Sequence, residues 1–203
     1  MTTAIVHVVD DDRSVRASLT RLLKVAGFEA RGYASAGEFL IAERDGAPGC
    51  IVLDVSLPGL TGIELHAALQ REHDPRPVIF LTGRGNIDMG VCAMKAGAVD
   101  FLTKPVDRER LLGAVRLALL RCDHERVRHQ ASTDLHARLD RLTGREREVF
   151  DRVVHGKLNK QIAFELGTSV RTIKAHRAQV MRKMEVDSLA QLVTAAERLS
   201  TPA

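Results

Sequence analysis

The 203-residue chain predicts an α/β domain built on a five-stranded, parallel, doubly wound sheet, followed by an all-α helix-turn-helix domain. Three observations lead there. Short apolar runs alternate five times with amphipathic stretches over the first half of the chain. Polar residues with useful chemistry stand where those runs end. Charge is also unevenly divided: residues 1–121 hold 15 Lys+Arg against 15 Asp+Glu, whereas 122–203 hold 15 against 11 and so account for the whole net charge of +4.

Ile5-Val6-His7-Val8-Val9 is a β-rich run that ends in Asp10-Asp11-Asp12. Val15, Leu19, Leu22, Leu23 and Ala26 then recur at helical spacing, and Gly27 ends that helix. Residues 28–33 fit a second strand and 36–44 a second helix. The run Cys50-Ile51-Val52-Leu53 is continuously apolar, as a strand buried on both faces must be, and Asp54 closes it shortly before a Pro58-Gly59 turn. A helix over 63–71 follows. Pro77-Val78-Ile79-Phe80-Leu81 is a fourth strand, ending at Thr82-Gly83. A helix over 87–96 is closed by Gly97, and a fifth strand over 99–103 ends at Lys104-Pro105. The helix over 108–120 carries Leu111, Leu112, Val115 and Leu119 on one face. Such alternation implies a parallel sheet covered by helices on both faces.

In open parallel sheets, ligands bind beyond the carboxyl ends of the strands. Asp10, Asp11, Asp54, Thr82 and Lys104 all stand at such ends. Each alone reads equally well as a cap; together they are three carboxylates, a hydroxyl and an ammonium. Close carboxylates raise one another's pKa, and a divalent cation relieves this. Mg2+ suits one or two carboxylates with waters and phosphate oxygens, at about 2.0–2.1 Å. Thr82 can donate to a phosphate oxygen, and Asp54 can act as a nucleophile to give an aspartyl phosphate. The chain has no Gly-rich phosphate loop, so a nucleotide is not the expected donor.

VVDDD at 8–12, VLDVSLPGLTG at 52–62, FLTG at 80–83 and AMKAGAVDFLTKP at 93–105 resemble, in order and separation, the receiver domain of two-component response regulators, here over residues 4–121. The resemblance implies a flavodoxin-like fold with Asp54 as phosphoacceptor. It implies Mg2+ held by Asp10, Asp11, Asp54 and the backbone of Ser56, with a lesser role for Asp12. Thr82 and Lys104 would contact the phosphoryl group, Lys104-Pro105 would be cis, and Phe101 matches an aromatic switch position. As plain strand core, Phe101 is explained equally well. Val55-Ser56-Leu57 departs from the family, which commonly has a basic or Met residue there; this bears on the lifetime of the aspartyl phosphate.

Residues 122–135 read as a charged, partly helical linker, and the helical spacing of Leu135, Leu139 and Leu142 suits self-association or a solvated tether. Residues 136–200 form the second domain. Thr143-Gly144-Arg145-Glu146 is a capping-box pattern opening a helix with Val149, Val153 and Val154, which Gly156 stops. Asn159 is expected to cap the next helix, which carries Ile162, Ala163 and Leu166 and ends at Gly167. Thr168-Ser169 then caps a helix over 170–184, apolar at Val170, Ile173, Val180, Met181 and Met184, and polar at Arg171, Thr172, Lys174, Arg177 and Arg182. A last helix spans 188–199. Two short helices, a Gly turn and a basic-faced helix make a helix-turn-helix. Lys160, Arg171, Lys174, Arg177, Arg182 and Lys183 face only Glu165 within 158–184, a balance suited to a polyanion, although a solvated face carries the same charge.

LTGREREVFDRVVHGKLNKQIAFELGTSVRTIKAHRAQVMRKM resembles the LuxR-type DNA-binding domain. With the receiver, the chain resembles the NarL/FixJ class, and FixJ-like regulators most. By that resemblance the third helix enters the DNA major groove. Lys174 and Arg177 would reach bases or phosphates, Lys160, Thr168, Ser169 and Arg171 would meet the backbone, and Thr172 is a further DNA-binding residue. It also implies a histidine kinase as phosphoryl donor and a homodimer on phosphorylation, formed through residues 91–97, 99–103 and 108–120. RNA polymerase is a candidate partner. An aspartate-nucleophile phosphatase would share the carboxylate chemistry but typically carries a second Asp two residues on, where Ser56 stands; the reading is therefore a regulator, not an enzyme. A third reading keeps DNA binding but makes phosphorylation dispensable. Cys50, Cys92 and Cys122 lack metal-ligand spacing and read as reduced thiols. No signal peptide or bilayer-length apolar run occurs, so the expectation is a cytoplasmic protein with no membrane partner.

Overall fold

The computed structural model describes residues 4–42, 48–72, 74–83 and 87–200. The chain divides into two compact units, Met1–Arg126 and Val127–Ala203. In the first unit, strands β1 (Ile5–Val9), β2 (Glu29–Tyr33), β3 (Gly49–Asp54), β4 (Val78–Thr82) and β5 (Asp100–Thr103) form one sheet in the order β2-β1-β3-β4-β5. Every pairing is parallel. Helices α1 (Arg13–Val25), α2 (Ala36–Ile41), α3 (Gly62–Arg71) and α4 (Ile87–Lys95) alternate with the strands, and α5 (Arg108–Asp140) follows the last.

β1, β3 and β4 are buried along their whole length because helices cover both faces, whereas the edge strand β2 buries only Ala30 and Tyr33. On one face Val6, Val8, Val52, Ile79 and Leu81 pack with Leu19, Leu23, Leu111 and Val115. On the other, Val9, Ile51, Leu53 and Phe80 pack with Phe39, Leu65 and Leu69. His7 is a buried polar exception, and its Nδ1 lies 3.0 Å from the Tyr33 hydroxyl. Asp12, third of the acidic triplet, caps α1 by accepting from the amides of Ser14 at 2.7 Å and Val15 at 3.2 Å. Thr61 and Glu64 form a reciprocal capping box on α3. A side chain at Gly62 would place its Cβ 2.1 Å from the Asp54 carbonyl oxygen, so only glycine lets α3 start this close to the end of β3.

Two first-unit expectations need correction. The helix expected over 36–44 stops at Ile41, because Ala42 is extended at φ −56° and ψ 140°; residues 43 and 44 lie outside the described residues. The helix expected over 108–120 runs on to Asp140. No Gly or Pro stands between Gly113 and Gly144 to interrupt it, so residues 122–135 lie inside α5.

The second unit adds α6 (Gly144–Val154), α7 (Asn159–Glu165), α8 (Val170–Met184) and α9 (Leu189–Ser200). Val149, Val153, Ile162, Ile173, Val180, Met184 and Leu192 form its core. Leu139 and Leu142 are buried in that core and Leu135 packs against it, so their spacing serves neither self-association nor a tether. Thr143 and Glu146 form the capping box of α6, and the Lys183 ammonium lies 2.6 Å from the Glu146 carboxylate. Asn159 does not cap α7. Leu158 holds the N-cap position and its amide donates to Gln161 Oε1 at 2.8 Å, which frees the Asn159 side chain for another partner. Ser169, rather than Thr168, caps α8, accepting from the Thr172 amide at 3.1 Å. Gly167 makes the intervening turn at φ +60°.

Candidate functional site

Register brings the polar strand ends together. β1 lies beside β3 with Val9 opposite Leu53, so Asp10 and Asp54 follow at one edge. β4 pairs with both β3 and β5, which brings Thr82 and Lys104 to the same edge. The Lys104 amide donates to the Thr82 carbonyl at 2.7 Å, and the Lys104-Pro105 peptide is cis. Lys104 Nζ then lies 2.7 Å from Asp10 Oδ2 and 2.7 Å from Asp54 Oδ2. The remaining oxygens are also held: Asp10 Oδ1 accepts from the Asp12 amide at 3.0 Å, and Asp54 Oδ1 from the Ser56 amide at 3.1 Å.

Asp10, Asp54 and Thr82 are buried, while Asp11 is exposed. Burial pushes the Asp10 carboxyl above its ordinary 3.8, against the pull of Lys104. Burial works to discharge Lys104, but its hydrogen bonds to Asp10 and Asp54 prevail and hold its pKa above 10.5. The ammonium is therefore a fixed cation clasped by two carboxylates. One oxygen from each of Asp10, Asp11 and Asp54 can be chosen so that all lie within 4.8 Å of one another. Three carboxylates against one ammonium leave an all-oxygen pocket with excess negative charge. A small hard divalent cation with its waters, needing ligands at about 2.0–2.1 Å, fits that donor set.

Phe101 on β5 packs against the Phe80 side of the sheet core and faces α4, where a Cβ at Gly90 would sit 3.4 Å from its ring. Arg16 was not among the residues singled out from the sequence. Its Nη1 donates to the carbonyl of Asp10 at 2.6 Å and of Asp11 at 3.2 Å. The only sequence signal for it was a cation a short way along the helix that follows the acidic triplet.

In the second unit Lys160, Ser169, Arg171, Thr172 and Lys174 are exposed and Thr168 is half-buried. Arg177 differs from Arg171 and Lys174. It is half-buried, and its Nη1 donates to Asn159 Oδ1 at 3.2 Å, tying α8 to the start of α7. Asn159, expected as a cap, thus acts as a tether for a basic residue.

The family model of the response regulator receiver domain matches residues 6–116, and that of the bacterial regulatory proteins of the luxR family matches residues 140–196. This chain belongs to the LuxR-type two-component response regulators. The regulator is 40% identical over 196 residues to response regulator protein TodT of Pseudomonas putida, covering 97% of this chain and 86% of that one. It is 40% identical over 193 residues to the transcriptional regulatory protein FixJ of Bradyrhizobium diazoefficiens, covering 95% and 94%. The response regulator StyR matches it in structure with a TM-score of 0.85 at 43% identity, over 97% of this chain and 99% of that one. The regulator couples a phosphorylation-controlled receiver to transcription through its LuxR-type output. No described helix is long and apolar enough to cross a membrane.

Proposed function

We propose that Asp54 is the phosphoacceptor of this regulator and that Asp10, Asp11, Asp54 and the backbone of Ser56 hold Mg2+. The observation that carries the reading is the Lys104 ammonium, 2.7 Å from one carboxylate oxygen of Asp10 and 2.7 Å from one of Asp54. A carboxylate oxygen of Asp54 attacks phosphorus, the P–N bond of a kinase phosphohistidine breaks, and the electron pair returns to the imidazole. Asp54 loses its charge in that step. Lys104 then exchanges its bond to Asp54 for a phosphoryl oxygen while keeping Asp10. Thr82 donates its hydroxyl to another phosphoryl oxygen, and Phe101 relays the change to α4. Bound Mg2+ would offset the negative charge that gathers on the carboxylates and phosphoryl oxygens.

The phosphorylated regulator pairs with a second copy and binds DNA through α8. Exposure of Lys160, Ser169, Arg171, Thr172 and Lys174 supports that output, with Thr168 and Arg177 beside them. RNA polymerase is a further partner in this reading. The regulator works in the cytoplasm as a switch, releasing no product of its own.

The test is incubation with acetyl phosphate and Mg2+, followed by mass spectrometry. Wild type gains one phosphate and Asp54→Asn gains none, because the amide nearly matches the carboxylate in shape but is a far poorer nucleophile. A phosphate that persists on the variant moves the site elsewhere. Equal DNA affinity of wild type with and without acetyl phosphate would favour a regulator that does not need the modification.

A further inference from the structure

We infer that Arg16 is a positioning residue for the cation pocket, acting through the backbone of Asp11. The inference rests on the Mg2+ reading given above. A single guanidinium nitrogen of Arg16 donates to two successive carbonyls, those of Asp10 and Asp11. These carbonyls belong to the peptide planes on either side of Asp11. Holding both planes fixes the two backbone dihedrals of Asp11, and with them the direction in which its side chain leaves the loop.

That control matters for Asp11 more than for its neighbours. The Asp10 carboxylate is anchored by Lys104 and the Asp12 amide, and the Asp54 carboxylate by Lys104 and the Ser56 amide. The Asp11 carboxylate is exposed and has no hydrogen bond or ion pair among the described residues. Its oxygen nevertheless lies within reach of the other two acids. Backbone geometry therefore places it, and Arg16 holds that geometry.

The edge strand makes room for the arrangement. A Cβ at Gly32 would stand 3.1 Å from Arg16 Cγ and 3.3 Å from Thr20 Oγ1. Thr20 in turn donates to the Arg16 carbonyl at 2.8 Å. The missing side chain at Gly32 lets the Arg16 stem pass over β2 toward the acidic loop, so the two positions form one device.

The sign of the effect separates positioning from electrostatics. Arg16 is a cation close to a cation site, so its charge alone disfavours Mg2+, and its removal should tighten binding. A positioning role predicts the opposite. Groups that orient metal ligands from outside the coordination shell typically contribute 10–100-fold in affinity.

Isothermal titration of the full chain with MgCl2 tests this, with melting curves in EDTA run alongside. Arg16→Ala is expected to weaken Mg2+ binding by about 10–100-fold. Arg16→Lys keeps the charge and a nitrogen with several protons, but on a shorter, more strongly hydrated side chain, and should fall between. Gly32→Val crowds the Arg16 stem without touching the acids, and valine suits a strand, so it should weaken Mg2+ in the same direction while still melting cooperatively in EDTA. If Arg16→Ala no longer melts cooperatively, Gly32→Val carries the test by itself. Unchanged or tighter binding in the folded variants overturns the inference and leaves the metal site standing. No Mg2+ uptake by wild type overturns the metal reading and this inference with it.

Discussion

Lys104 holds two anions with one cation, and Asp10 is the one of the pair with no exposed surface. Lys104→Ala leaves that buried carboxylate without its ammonium. Leaving a buried polar group unsatisfied costs about 1–3 kcal/mol, so the variant should lose roughly that much in EDTA. Mg2+ should restore part of the loss and bind more tightly than in wild type, because the competing cation is gone. Urea melts in EDTA and in Mg2+ check both. pH acts in a definite direction. Asp10 has a folded pKa above its unfolded 3.8, so its contribution to stability is full below that value and is lost as pH rises through the folded pKa. At this scale the acids, Thr82 and Lys104 were legible because each sits where an apolar run stops. Arg16 and Asn159 were not, since their roles consist of contacts with residues that only the folded chain brings near. The lesser role expected of Asp12 has a physical reason that the sequence hides: its carboxylate is occupied by the first turn of α1.

α8 must bury one face and offer the other. Ile173, Val180 and Met184 are buried, while Arg171 and Lys174, one turn apart, are exposed. Arg177, one turn further, shares its guanidinium with Asn159, so Lys174 is the freer probe of the groove. Lys174→Ala should cost about 1–3 kcal/mol on a specific duplex, and little on a random one, if it reads a base edge. If it meets only a phosphate, both duplexes weaken alike and the salt dependence becomes shallower by about one ion. Salt titrations on the two duplexes distinguish these, and unaltered affinity on both would remove α8 from the groove. Phosphoryl uptake should be the same as in wild type. Helix existence was readable from periodicity and caps throughout. Helix ends were less so: α5 outran its apolar stripe because charged residues extend a helix as well as apolar ones do, and only a breaker or a competing contact would have stopped it.

The whole regulator should associate more strongly once phosphorylated. The expected pairing face includes residues 91–97 and 99–103, but Ala93 and Val99 within it are buried in the sheet core. Val91 and Met94, each 46% exposed, supply the apolar surface of α4 instead, with the exposed Lys95 beside them. Sedimentation with acetyl phosphate should show a dimer formed at least about tenfold more tightly, ~1.4 kcal/mol, than without it. Val91→Asp should cancel that gain and still take up phosphate. A monomer under both conditions, at concentrations that saturate DNA, would count against pairing.

The interior of the first unit draws on no residue beyond Cys122, whose thiol accepts from the Gly49 amide at 3.3 Å, and that of the second on none before Leu135, among the described residues. Residues 123–134 are helical and almost wholly solvent-facing. Genetic crossover anywhere in that segment would pass each half on with its interior complete. The same input could thus be joined to another output, or this output to another input, by a single exchange that disturbs no packed layer.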